Sequence, residues 1–436
     1  MVFFRVTKNI NIKVTDGTLV KYLKLKKPSE LVNENIYCTT YSDIKTIKEV
    51  FSNVDDEYKI RIVNENKIVS QKDFPKELGI CNKNEYSILK KHEYDISKKD
   101  SYLIKEHDGA FHGFALNEKK SLLYKQLISD KKDVTIAILG GIGKDIGEIV
   151  NSLSAVRILY DYLQKKHKSI KIDIYLIASN NPFYGRNKEI MKNESYINEV
   201  YPLSISVKKL CEYDYYIDNS SVRNSSYYTN MPFVDANLYK FGIDHTKVPD
   251  IKKHNHLNLS SYKPKEELEN KLQELKKHGD IILYHPYSSD VARSIPEDAS
   301  IKLLKKLIDK SEHATVVCVL EIGKFKDDRY VNLSKYSKTF SDYAYIISNM
   351  NKIITVDTAT YHISDAFFIP TVVLFSTVEP QNRIKYYSMT KSIDVIDKTK
   401  HFSQFIFDND KLALYKFDGW ENIKMGKVIK VLATIR

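Results

Sequence analysis

Asp133-Val-Thr-Ile-Ala-Ile-Leu139, followed at once by Gly140-Gly-Ile-Gly143, is the stretch that decides how the rest of this chain is read. An unbroken run rich in β-branched residues is the pattern of a strand buried on both faces of a parallel sheet. After the glycines comes a helix-compatible segment from about Gly147 to Lys166, then a second strand, Ile170-Lys-Ile-Asp-Ile-Tyr-Leu-Ile177. Strand, glycine turn, helix and strand together open a doubly wound α/β unit. Strand-like pieces at Glu199–Leu203 and Tyr213–Ile217 carry the alternation to about residue 250.

Further along, the same rhythm restarts. Ile281–His285 reads as a strand, Pro286–Pro296 as a loop and Glu297–Lys310 as a helix. Strands at Ala314–Leu320, Lys352–Val356 and Thr371–Phe375 alternate with helices at Phe340–Ser348 and Thr360–Phe367. A polar stretch, Pro249–Pro264, reads as the linker between the two units. Toward the N-terminus, Ile10–Val14 and Tyr58–Val63 are short alternating stretches broken by turn residues such as Asp16-Gly17, a mostly β pattern. The expected organisation is α/β: a β-rich N-terminal domain over 1–132, then Rossmann-like domains over 133–255 and 256–436 facing a cleft.

At 436 residues the chain is long enough for two or three domains, and 42% apolar with 28% charged residues is a globular balance. Lys+Arg 68 against Asp+Glu 56 leaves +12, an excess that favours anionic partners: phosphates, nucleotides, nucleic acid or a membrane surface. No basic stripe interleaved with aromatics is evident, so specific nucleic-acid recognition is not expected, whereas peripheral membrane association is compatible with the charge. No apolar run reaches the roughly 18–20 residues of a membrane-spanning helix. The N-terminus turns polar too soon for a signal peptide, so a cytoplasmic location is expected. Cys38, Cys81, Cys211 and Cys318 are widely separated, with no CxxC pair, so a thiolate metal site is not expected.

Ligands of such folds bind beyond the carboxyl ends of the strands, which singles out four loops. After Leu139, the glycines Gly141, Gly143 and Gly147 let a ligand approach the backbone, and Asp145 and Glu148 supply carboxylates. Either acid is a candidate general base; either also suits the dipole of a starting helix. After His285 come Ser288 and Arg293, the latter just before a helix start, where a guanidinium and free amides could hold a diphosphate. After Val356 come Asp357, Thr358, Ala359, Thr360 and His362; Thr358 or Thr360 would serve as N-cap. His362 is a phosphate donor or a packed histidine. The loop after Phe375 adds Thr377 and Arg383.

Taken together these loops resemble the heptosyltransferase family of glycosyltransferases, the inverting GT-B enzymes of family 9. Val356-Asp-Thr-Ala-Thr-Tyr-His-Ile-Ser-Asp-Ala-Phe-Phe-Ile-Pro-Thr-Val-Val-Leu-Phe-Ser-Thr-Val-Glu-Pro380 is similar to that family's D-T-G-x-x-H-x-A…P-x-x-x-L-F-G-x-T-x-P signature. Arg293-Ser-Ile-Pro296 resembles its K-x-W-P element, and Ile146–Val156 its G-D-x-x-x-x-x-P-A-L opening, with Glu148 on the family's catalytic aspartate. The chain departs from the pattern at Glu148 for Asp, Ser154 for Pro, Ala359 for Gly, Arg293 for Lys and Ile295 for an aromatic. The related autotransporter heptosyltransferases, which glycosylate proteins, carry an N-terminal β-rich domain and a cysteine-bound iron element; no cysteine cluster here matches the latter.

The resemblance implies an inverting, metal-independent transfer of heptose or a related hexose from a nucleotide-diphosphate sugar to a hydroxyl on a surface glycan or protein. It implies no cofactor, Glu148 or else Asp145 as base, and Ser288, Arg293, Asp357–Thr360, His362, Thr377 and Arg383 on the donor side. Gly141, Gly143 and Gly147 fall on the acceptor side. The alternative is a nucleotide-sugar- or glycan-binding protein that has kept the GT-B fold without turnover.

Overall fold

The computed structural model describes residues 1–25, 33–40, 44, 47, 60–80, 122–127, 132–178, 181–220, 222–225, 227–228, 231–395 and 419–435. Cys81 and the first two residues of the Tyr58–Val63 stretch lie outside them. Contacts divide the chain into two units, one of 1–144 with 155–249, the other of 145–154 with 250–436.

In the first unit β1 (Val2–Val6) lies antiparallel between β4 (Tyr37–Thr39) and β5 (Ile60–Val63), while β2 (Ile10–Lys13) and β3 (Leu19–Tyr22) form a separate hairpin. A short β6 (Lys76–Glu77) joins the edge of a parallel sheet made from β7 (Asp133–Leu139), β8 (Ser169–Ile177), β9 (Glu199–Leu203) and β11 (Tyr215–Asp218). The helices α1 (Ile146–Gln164) and α2 (Tyr184–Lys192) follow β7 and β8. Sheet order is β6-β11-β7-β8-β9, so the chain reverses direction across the sheet between β7 and β11. The N-terminal strands group with this sheet in the first unit. The two-residue β10 (Ile205–Ser206) pairs with β4, and Phe3, Ile36, Cys38 and Ile68 share a core with Ala137, Leu139 and Leu203. Short strands cannot bury a full face alone; these complete theirs against the neighbouring sheet.

In the second unit α3 (Glu266–Lys277) precedes β12 (Asp280–His285), α4 (Glu297–Lys310), β13 (Ala314–Cys318) and β14 (Tyr330–Asn332). Then come α5 (Phe340–Ser348), β15 (Lys352–Val356), α6 (Ala359–Ala366), β16 (Thr371–Phe375), β17 (Thr390–Asp394) and α7 (Met425–Ala433). The six strands are parallel in the order β14-β13-β12-β15-β16-β17. Numbered along the chain that is 3-2-1-4-5-6, the doubly wound order, with its reversal point between β12 and β15. One side of the sheet is sealed by Leu304 and Leu307 of α4, Val428 and Leu432 of α7 and Trp420, all packed with Tyr284, Val316 and Leu374.

Two features differ from the sequence reading. The polar stretch expected as the linker holds Lys253 and Asn255 at 2% and 0% exposure, because their polar atoms are bonded inside the second unit. Helix α1 is shared: its opening turns group with the second unit, the remainder with the first. Among the described residues Cys38, Cys211 and Cys318 are free thiols, and burial pushes Cys38 and Cys318 up.

Candidate functional site

Both loops that flank the reversal point of the second sheet carry charge. Arg293 ends a one-turn helix, Val291–Arg293, capped by Asp290, whose carboxylate accepts from the Ala292 amide at 2.9 Å. Its guanidinium reaches Asp357 at the end of β15 through Nη1 at 3.4 Å, and Asp290 through Nε at 3.7 Å. Asp357 is buried and also accepts from the Tyr361 hydroxyl at 2.8 Å. A third loop is tied in by Ser376, whose hydroxyl donates to the Ala292 carbonyl at 2.9 Å. Next to it the Thr377 hydroxyl is buried with no partner among the described residues. Buried polar atoms are seldom left unpaired in native proteins, so an orphan here is a natural contact for a ligand.

Between these loops α6 begins. Thr358 is its N-cap by backbone, with extended φ and ψ, but its side chain makes no capping bond. The first amides of the helix therefore carry no cap from Thr358, and an uncapped helix start with the positive end of its dipole is an arrangement that binds phosphate. Thr360 is turned inward instead. Its hydroxyl lies 2.7 Å from Nδ1 of His285 and 2.6 Å from the Tyr343 hydroxyl, which ties α6 to β12 and α5. The Thr360 hydroxyl is thus bonded within the scaffold.

Burial lowers His285 to about 4 from an ordinary value of 6.5. The folded protein therefore takes up this proton later than the unfolded chain. Stability is unaffected above pH 6.5, falls as pH drops through that value and levels off below about 4, with about 3 kcal/mol at stake. Melting curves between pH 7 and pH 4 check this: His285→Asn should flatten part of the acid loss, and an unchanged pH slope would refute it.

His362, on the first turn of α6, is also buried. Burial first, then the charges of Arg383 and Arg293, hold it well below the usual histidine range, so it is neutral. Its Nδ1 lies 2.5 Å from the Tyr387 hydroxyl. The opening turn of α1 is packed on its ring: a Cβ placed on Gly147 would stand 2.5 Å from His362 Cδ2 and 3.0 Å from Nε2. Only glycine fits this approach. Gly147→Ala should cost about 1–3 kcal/mol by overpacking, read as a lowered melting temperature, since Tyr387 keeps the imidazole from swinging aside. A melting temperature equal to the wild type would show that the ring yields. Half-buried Glu148 follows Gly147, whereas Asp145 is exposed and its carbonyl accepts from Ile149 at the helix start.

The first unit has a crevice of its own, about 490 Å³, beyond the carboxyl ends of β7 and β11 where that sheet reverses. Gly140, Gly141, Gly143, Lys144, Phe183, Asn219 and Arg223 line it. Gly140 has φ 93, and a Cβ there would meet the Ser220 backbone at 2.6 Å, which explains the glycine turn. Asn219 donates from Nδ2 to the Gly141 carbonyl at 2.7 Å, while its Oδ1 is buried without a partner among the described residues. Phe183 is half exposed at the rim, with the Arg186 guanidinium 4.3 Å from its ring centre.

Of the residues singled out in the sequence, Arg293, Asp357, Thr358, Ala359, His362, Thr377 and Arg383 belong to the three loops and α6 at the carboxyl edge of one sheet. Ser288 lies in the Arg293 loop, where its amide donates to Ser294 Oγ at 2.9 Å and its hydroxyl accepts from Asp290. Gly141 and Gly143 line the crevice of the first unit; Gly147, expected beside them, packs on His362 in the second. Asn151, Asn255, Tyr387, His285 and Asn219 were not foreseen. Asn151 alone had a signal, standing four residues after Gly147 and three after Glu148 on one helix face.

Two parallel sheets, one in the 3-2-1-4-5-6 order with cations and a helix start at its reversal point, place the chain among the doubly wound α/β proteins. No family model and no curated protein matches the sequence. Among solved structures, the chain is similar to the ADP-heptose LPS heptosyltransferase II of E. coli, with 17% identity over 69% of this chain and 98% of that one, TM-score 0.48. It is also similar to a family 9 glycosyltransferase from Veillonella parvula, with 13% identity over 70% and 97% of the two chains, TM-score 0.46. A third similar structure is the iron-containing dodecameric glycosyltransferase TibC of enterotoxigenic E. coli, with 13% identity over 71% and 77%, TM-score 0.44. Among the described residues no group of three or more His, Cys, Asp or Glu is placed to hold a metal ion.

Proposed function

We propose that the chain is an inverting glycosyltransferase of the heptosyltransferase type. Its donor is a nucleotide-diphosphate heptose or related hexose, bound by the second unit, and its acceptor is a hydroxyl on a surface glycan or protein, bound by the first. One observation carries this reading: Arg293, the open amides of α6 and neutral His362 share the reversal point of the second sheet, with Glu148 one residue beyond the Gly147–His362 contact. In the reaction the acceptor oxygen attacks the anomeric carbon from the face opposite the phosphate, the C–O bond to phosphate breaks, and the nucleoside diphosphate leaves with the bonding pair. Glu148 takes the acceptor proton. Arg293, Arg383 and the α6 amides meet the charge that develops on the diphosphate, and donors fixed in advance commonly supply the largest catalytic contribution. With two guanidiniums in that role, added EDTA is expected to leave the rate unchanged.

The crevice of the first unit suits a sugar. A hydroxyl would donate to the orphan Asn219 Oδ1, an apolar sugar face would meet Phe183, and Lys144 and Arg223 favour an acceptor that carries negative charge. No described helix is long and apolar enough to cross a membrane. The second reading, binding without turnover, is favoured by Ser154, which stands where the family pattern has Pro and donates to the His254 carbonyl at 2.8 Å as part of the scaffold. A thermal-shift panel of ADP-, GDP- and UDP-sugars tests the reading. A donor at a hundred times its Kd stabilises by about 2.7 kcal/mol. If none raises the melting temperature the proposal fails; if one does and no acceptor receives sugar, the binding-protein reading replaces it.

A further inference from the structure

A chain of forced hydrogen bonds runs from α1 to His362. It starts at the His362 carbonyl, which can only accept and lies 3.0 Å from Asn255 Nδ2. That fixes the Asn255 amide, whose own backbone N–H is held by Asp365 Oδ2 at 2.8 Å. Asn255 Oδ1 therefore faces Asn151, and Asn151 must answer with its nitrogen, 3.1 Å away. The same Asn151 Nδ2 lies 2.8 Å from the Tyr387 oxygen and supplies its second hydrogen there. Tyr387 accepts from Asn151, so its one proton is left for His362 Nδ1 at 2.5 Å. Asn151 Oδ1 is left buried without a partner among the described residues, a penalty that this arrangement carries.

A nitrogen that accepts from Tyr387 cannot bear a proton, and a buried imidazole flanked by Arg383 and Arg293 is neutral. Its proton then belongs to the other nitrogen. We infer that Tyr387 is a positioning residue that locks His362 as the Nε2–H tautomer and so presents a neutral N–H donor beside the opening turn of α1. On the proposed function, on which this use of the donor rests, that N–H meets the departing diphosphate. A fixed neutral donor complements Arg293 and Arg383 without placing a third positive charge in a buried site.

The test is the ring itself. With ¹⁵N-labelled histidine, two-bond proton–nitrogen spectra distinguish the two tautomers and the imidazolium, and the His362 signals are assigned by their loss in His362→Gln. The wild-type protein at neutral pH is expected to show Nε2 protonated and Nδ1 bare. Tyr387→Phe keeps the ring and removes the hydroxyl; the His362 signals should move toward a mixture of tautomers. With a donor and acceptor in hand, kcat should fall roughly tenfold while the KM for donor stays unchanged, the scale of one lost hydrogen bond. A wild-type His362 protonated on Nδ1 or on both nitrogens overturns the inference, as does a Tyr387→Phe spectrum identical to wild type. Should that variant fail to fold, the wild-type spectrum still decides. If the spectrum holds and no nucleotide sugar binds, the proposed function fails and the tautomer assignment stands.

Discussion

Glu148→Gln lowers the rate of sugar transfer by roughly two to four orders of magnitude, the range a general base contributes, with nucleoside-diphosphate affinity unchanged. The change swaps one oxygen for an amide nitrogen at constant shape, so packing of the α1 start against α6 survives. A merely helix-capping role predicts something else. A carboxylate that only complements the α1 dipole contributes about 0.3–1 kcal/mol of stability and nothing to the rate. Single-turnover transfer and a melting curve on the same sample therefore separate the two roles. Retained transfer removes Glu148 from the base position, and a loss confined to Asp145→Asn would move that role to the exposed neighbour.

Arg293→Ala carries the second large effect: donor binding weaker by about 10- to 100-fold, from loss of charge-assisted bonds of about 1.5–3 kcal/mol. The guanidinium is held before any ligand arrives, between Asp290 and Asp357. Fixing it in advance lowers the ordering cost on binding. Arg293→Lys should fall between, because an ammonium keeps the charge but not the planar fork that matches a phosphate. Removing Arg293 also strips buried Asp357 of a cation, so part of the damage should appear as lost stability without ligand. Calorimetric titration of a nucleoside diphosphate into both variants, beside their melting curves, keeps the two contributions apart. Unchanged affinity in Arg293→Ala would place the phosphates elsewhere.

The second sheet was legible because its strands are buried on both faces, which writes them as continuous apolar runs. Lys352–Val356 and Thr371–Phe375 fall where the runs put them, and Glu297–Lys310 starts at its proline. Thr390–Asp394 is less legible: as an edge strand it mixes buried and exposed positions and has no apolar run to mark it. The site splits the same way. Arg293, Asp357 and His362 are visible because loops after parallel strands are where ligands bind. Asn151, Asn255 and Tyr387 are joined by hydrogen bonds spanning 104 and 236 positions, and no local pattern encodes such partners. The burial within the polar Pro249–Pro264 stretch is hidden for a related reason: its polarity is consumed internally, as Asn255 shows.

Because Asp145–Ser154 keeps company with 250–436, the two halves cannot be traded as cassettes cut at residue 250. A fragment starting there would lack the Asn151 amide and the Gly147 surface, leaving the Tyr387 oxygen and the Asn255 carbonyl stripped of a donor in a dry interior. Recombination that respects this protein's architecture has to carry ten residues from the middle of the chain along with its tail.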